Sequence, residues 1–144
     1  MDDSERLRAF AVSLGDVARL WRGQIDRRLR PCGLSFMQWL TLSQLSRAGR
    51  DVVQKDLAAL VSIEGPTMVG ILDRLVGSGL VERRVSATDR RANTVHLTAG
   101  GHDKLDEIEG ELQALREDML AGLSGPDLES GIGIFKHIVE RGRP

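Results

Sequence analysis

Gly79-Leu80-Val81-Glu82-Arg83-Arg84-Val85-Ser86-Ala87-Thr88-Asp89-Arg90-Arg91-Ala92-Asn93-Thr94-Val95-His96-Leu97-Thr98 reads as two short strands joined by a loop that carries Asp89-Arg90-Arg91. Val81, Arg83 and Val85 share one side opposite Glu82 and Arg84, and Val95 and Leu97 alternate with His96. This is the period-two pattern of a hairpin with one buried and one wet face. A tip bearing two guanidinium groups calls for an anionic partner. Just upstream, Gln54 to Val61 forms a short helix with Leu57, Leu60 and Val61 inward, followed by a break from Ser62 to Pro66. A second run from Thr67 to Val76 carries the apolar stripe Val69, Leu72, Leu75 and Val76. Pro66 falls in its first turn, where a helix tolerates proline, and Gly77-Ser78-Gly79 stops it. Helix, turn, helix and then a basic hairpin is the order of a winged DNA-binding module.

The flanks are helical. Leu7, Phe10, Leu14, Val17, Trp21, Ile25 and Leu29 recur at three- and four-residue steps, and Pro31 and Gly33 end that helix. Ser35 is placed to cap a second helix whose apolar residues are Met37, Leu40, Leu42 and Leu45. Beyond Thr98-Ala99-Gly100-Gly101, Leu105, Ile108, Leu112, Leu115 and Met119 alternate steps of three and four, a narrow coiled-coil-like seam. Ser124-Gly125-Pro126-Asp127 reads as a capping box opening a last helix with Leu128, Ile132, Phe135 and Ile138. The expected fold is mainly α with a small β-hairpin wing, one domain over residues 1–144. A winged helix-turn-helix lobe occupies 35–99, and 5–34 and 100–142 supply dimerisation helices. These terminal stretches show more apolar surface than a helix packed on one side requires, which predicts a homodimer.

Composition narrows the class. The 144 residues are 41% hydrophobic, enough for one compact core. No run approaches the ~20 apolar positions of a membrane span, and the start Met1-Asp2-Asp3-Ser4-Glu5 is unlike a secretory signal, so a cytoplasmic protein is expected. A net charge of -1 conceals asymmetry: residues 1–50 carry nine Lys/Arg against five acids, and residues 101–144 carry five against ten. One end is suited to polyanions and the other is not. The single cysteine, Cys32, excludes an internal disulfide.

A recognition helix opening at Pro66 brings Thr67, Met68 and Val69 toward a major groove, with Arg74 about two turns in. Thr67 offers a hydrogen bond, and Met68 or Val69 an apolar contact to a thymine methyl. Gly70 leaves a gap where a long polar reader would stand. Grip is therefore expected from the wing, with Arg90 or Arg91 entering a minor groove and Asp89 holding an arginine or the turn amides. Gln54 and Lys55 at a helix start are candidate phosphate contacts, with Arg84 and Arg83 weaker ones. His96, His102 and His137 are scattered, and no acid pair, nucleophile–base set or metal spacing emerges. Neither enzymatic activity nor a cofactor is expected.

With these residues in place, the whole chain resembles the MarR family of bacterial transcriptional regulators. The resemblance rests on Leu72-Asp73-Arg74-Leu75 with Gly79-Leu80-Val81, on Asp89-Arg90-Arg91, and on Leu97-Thr98-Ala99-Gly100. Trp21-Arg22, Ile25-Asp26-Arg27-Arg28-Leu29-Arg30-Pro31 and Gln38-Trp39-Leu40-Thr41-Leu42 resemble its SlyA-like branch in particular. The resemblance implies an obligate homodimer on a pseudo-palindromic double-stranded DNA operator, acting as a repressor released by a small phenolic or aromatic carboxylate effector. It also implies a wing arginine at Arg91 supported by Asp89, and an effector site near Arg19, Trp21, Gln38 and Trp39. Many members carry arginine where this chain has Gly70. The rival reading is a winged-helix protein-interaction module that has given up specific DNA binding, favoured by Gly70 and the near-neutral charge.

Overall fold

The computed structural model describes residues 1–89 and 91–144. The helices are α1 (Asp3–Leu29), α2 (Phe36–Ala48), α3 (Gln54–Leu60), α4 (Gly65–Gly77), α5 (Ala99–Met119) and α6 (Gly125–Gly142). A 3-10 turn at Arg30–Cys32 follows α1. Strands β1 (Val52–Val53), β2 (Val81–Val85) and β3 (Asn93–Leu97) form one antiparallel sheet in the order β1-β3-β2.

Local chemistry sets the helix limits. The Asp2 carboxylate accepts the Glu5 amide at 2.7 Å while Glu5 accepts the Asp2 amide at 2.8 Å, a reciprocal cap on α1. Ser35 and Gln38 repeat the arrangement on α2, and Ser124 and Asp127 on α6. Gly49 ends α2 at φ 62°, a conformation that a side chain would oppose. Asp26 ties the first two helices together: its carboxylate accepts the Phe36 amide at 3.0 Å and pairs with Arg30 at 2.8 Å.

The hairpin register pairs Val81 with Leu97, Arg83 with Val95 and Val85 with Asn93. Strand β1 adds a third partner, Val52 opposite Val95, which sequence periodicity does not reveal because two residues cannot display alternation. Val53, in extended conformation, stands at the N-cap of α3. The dry side of the wing is also shorter than the pattern predicts. Val81, Val95 and Leu97 are buried, but Val85 is 65% exposed, so the hairpin leaves the body after Arg83.

The core gathers Leu29, Leu42, Leu57, Met68, Leu72, Leu75, Val95, Ile108 and Leu115 from five helices and the sheet. The seam of α5 is spent inside the chain. Ile108, Leu112 and Leu115 are buried against α1 and α2, and Arg28 joins Asp118 at 2.7 Å across the α1–α5 contact. The apolar surface left over lies elsewhere. Leu7, Phe10, Val17 and Leu20 of α1 are exposed, as are Ile132, Phe135 and Val139 of α6, and α6 buries no residue at all. Among the described residues, no helix is long and apolar enough to cross a membrane.

Candidate nucleic-acid interface

Helix α4 begins without a side-chain cap, and Gly65, Pro66 and Thr67 in its first turn are exposed. Val69, Gly70 and Arg74 are exposed along the same helix. Met68 does not join them. Its side chain is wholly buried among Leu72 and Leu75, so it anchors the helix and cannot reach a base. Residues 68, 72 and 75 share a helix face as well as 69, 72 and 76 do, and packing selects the first set. Of the side chains expected toward a groove from this helix, Thr67, Val69 and Arg74 are exposed. Among the described residues, and apart from its chain neighbours and its own helix backbone, no atom lies within 4 Å of a Cβ built on Gly70, which opens onto a crevice of about 230 Å³ lined by Ser35, Gln38, Thr67, Ile71 and Arg74.

The wing tip is held by its own polar groups. Ser86 donates its amide to the Ala92 carbonyl at 2.9 Å, and Ala92 donates to Asp89 at 3.1 Å, closing the turn. The Asp89 carboxylate accepts the Arg91 backbone amide at 2.9 Å, an Asx turn. Asp89 therefore orders the main chain and leaves the Arg91 guanidinium exposed and, among the described residues, without an ion pair. Arg90 lies outside the described residues.

Among the remaining candidates, Lys55 is exposed at the start of α3. Gln54 beside it is half-buried, and its carbonyl oxygen is enclosed without a hydrogen-bond partner among the described residues. Arg84 is half exposed and pairs with Glu82 at 3.3 Å. Arg83 turns the other way, with Nη2 donating to Asp73 at 2.7 Å and to the Val69 carbonyl at 3.2 Å. His96 of β3 pairs through Nδ1 with Asp51, fastening the sheet to the loop before β1. Arg83, expected from sequence as a weaker phosphate contact, is instead bonded to α4, and neither its partners nor that of His96 are legible in sequence, because each lies well removed along the chain.

The four residues expected around an effector do not meet in one cavity. Arg19 is exposed and pairs with Asp16, its neighbour one turn back on α1. Trp21 is half-buried against the core, and the Gln38 carbonyl serves the Ser35 cap while its side chain borders the α2–α4 crevice. Trp39 stacks at a tilt on Phe36, with ring centres 5.8 Å apart. It faces a different crevice, about 340 Å³ between α2 and α5, with Leu40, Arg47, Leu105, Glu109 and Arg116. Arg116 is already paired there with Glu109 at 2.6 Å.

The model of the MarR family matches residues 33–92, from the end of the 3-10 turn to the wing. The transcriptional regulator PA3341 is 35% identical over 92% of this chain and 96% of its own, with a TM-score of 0.81. AbsC, a MarR family transcriptional regulator from Streptomyces coelicolor, is 26% identical over 99% and 98%, with the same TM-score. A mutant MarR from E. coli, solved in complex with operator DNA, shares the fold at 21% identity and TM-score 0.81 over 96% of this chain and 99% of that one. With its helix-turn-helix, its three-stranded wing sheet and its end-to-end likeness to these regulators, the chain belongs to the MarR family of winged-helix transcriptional regulators.

Proposed function

We propose that the chain is a sequence-specific double-stranded DNA-binding regulator that works as a cytoplasmic homodimer on a pseudo-palindromic operator, is not an enzyme, and represses until an effector releases it. The observation that carries this reading is the wing tip: a turn closed by Ser86, Asp89 and Ala92 that presents Arg91 with its charge uncommitted. The uncapped, exposed start of α4 lies in the same lobe, and anions are favoured at such a helix end. Thr67, Val69 and Arg74 enter the major groove, Lys55 and Arg84 meet phosphate, and Arg91 enters the adjacent minor groove. That a protein of the same fold from E. coli was solved with operator DNA supports DNA as the partner.

Dimerisation rests on the exposed apolar sides of α1 and α6, which a second copy covers, setting two recognition helices about one DNA turn apart, ~34–36 Å. For the effector, a small aromatic anion, the α2–α5 crevice offers the indole of Trp39 beside Arg47. The SlyA-like stretches named above support assignment to that branch.

The test is selection of tight-binding duplexes from a random pool, followed by fluorescence anisotropy with the selected duplex. Nanomolar binding that falls steeply with salt, at two subunits per duplex, is the expected result. Failure to enrich any sequence would establish the protein-interaction module instead. Adding aromatic carboxylates to the preformed complex then tests release.

A further inference from the structure

Arg83 is the last residue of β2 attached to the body. Its side chain is 27% exposed, whereas Arg84 and Val85 beyond it are largely in solvent. Its guanidinium joins two points one turn apart on α4, the Asp73 carboxylate and the Val69 carbonyl. Val69 is also one of the exposed residues near the groove-directed end of that helix. From Arg83 to Ser86, where the tip begins, the strand runs about 10 Å at ~3.3 Å per residue. A small rotation of the strand at Arg83 therefore moves Arg91 by ångströms relative to Thr67.

We propose that Arg83 is a positioning residue: paired with Asp73, it fixes the angle between α4 and the wing, so that both engage DNA as one rigid body, and it makes no phosphate contact of its own. The proposal rests on the DNA-binding reading above for its consequence, but the brace itself exists in the free protein. A planar fork is the group for this task, since it reaches a carboxylate and a carbonyl together.

The experiment compares Arg83→Gln, Arg83→Lys and Asp73→Asn with the unaltered chain. Anisotropy is measured across a salt series on the duplex selected from the random pool and on a scrambled duplex of equal length. Affinity for the selected duplex is expected to fall about tenfold in all three variants, with scrambled binding and the salt slope unchanged. Asp73→Asn is the sharpest arm, because removing an acid strengthens binding to a polyanion unless the geometry has been spoiled. Unchanged or tighter binding by Asp73→Asn overturns the proposal. So does a salt slope lowered by about one in Arg83→Gln, the mark of a lost phosphate contact. Full retention by Arg83→Lys overturns it as well.

Hydrogen exchange without DNA tests the brace independently. Faster exchange is expected across residues 81–97 in Arg83→Gln and Asp73→Asn at an unchanged thermal midpoint, and unaltered exchange overturns the brace. If no duplex is ever selected, the DNA-binding reading fails while the exchange result still decides whether Arg83 couples wing to helix.

Discussion

Arg91 and Asp89 sit two residues apart yet carry separable tasks, because the carboxylate bonds to a backbone amide and not to the guanidinium. Arg91→Ala should weaken specific binding by about 1–3 kcal/mol, the range of a single groove contact. Asp89→Ala should also weaken it, although it removes a negative charge, since the turn loses its Asx bond. Anisotropy on the selected duplex checks both. Asp26 gives a second prediction. The Phe36 amide first, and then the Arg30 guanidinium, hold its carboxyl below the ordinary value near 3.8. A folded-state value below the unfolded one means that Asp26 stabilises the protein at neutral pH, and that this contribution disappears as pH falls from about 4 through the lowered value. Thermal midpoints of the unaltered chain and Asp26→Asn should therefore differ at pH 7 and converge toward pH 2. Of these residues, the sequence marks Arg91 and Asp89 through their motif. The partners of Asp26 and Arg83 come from other elements and leave no local signature.

Two glycines show how each element tolerates change. Gly101, in the first turn of α5, is buried where a methyl group would overlap the Leu80 carbonyl oxygen and the Leu97 side chain. Thr98 bonds to the Gly79 carbonyl at 2.6 Å and accepts the Gly101 amide at 3.0 Å, so the junction has little room to shift. Gly101→Ala should cost about 1–3 kcal/mol through overpacking. Gly70 is the opposite case, an exposed glycine inside α4 with empty space around it. Gly70→Ala should stabilise the protein by about 0.5–1 kcal/mol, and chemical denaturation reads both changes. Helical periodicity made nearly every helix legible in the sequence, because amphipathic faces repeat many times over such lengths. It failed to distinguish Met68 from Val69, since both complete a face with Leu72, and it missed β1, which contains only Val52 and Val53. Of the four residues expected at the effector site, Gln38 borders the α2–α4 crevice and Trp39 the α2–α5 crevice, a division that helical spacing alone does not display.

Across the whole molecule, the apolar surface of α6 is left uncovered by the chain's own fold. A charge placed there by Phe135→Glu should raise the dimer dissociation constant by at least about 30-fold, as expected for loss of an interface anchor worth ~2 kcal/mol. Sedimentation velocity would then show monomers where the unaltered chain sediments as a dimer. The same bareness has a consequence for the life of the protein. An 18-residue helix with nothing buried has scant reason to persist in a lone chain, since isolated helices of this length are marginal in water. In the proposed dimer, coverage by a second copy would link its order to encounter, and the melting temperature should climb with protein concentration. Chains that have not yet met a partner would stay open to proteases along α6. Scarcity would then act as a degradation signal, setting a floor below which the protein is cleared.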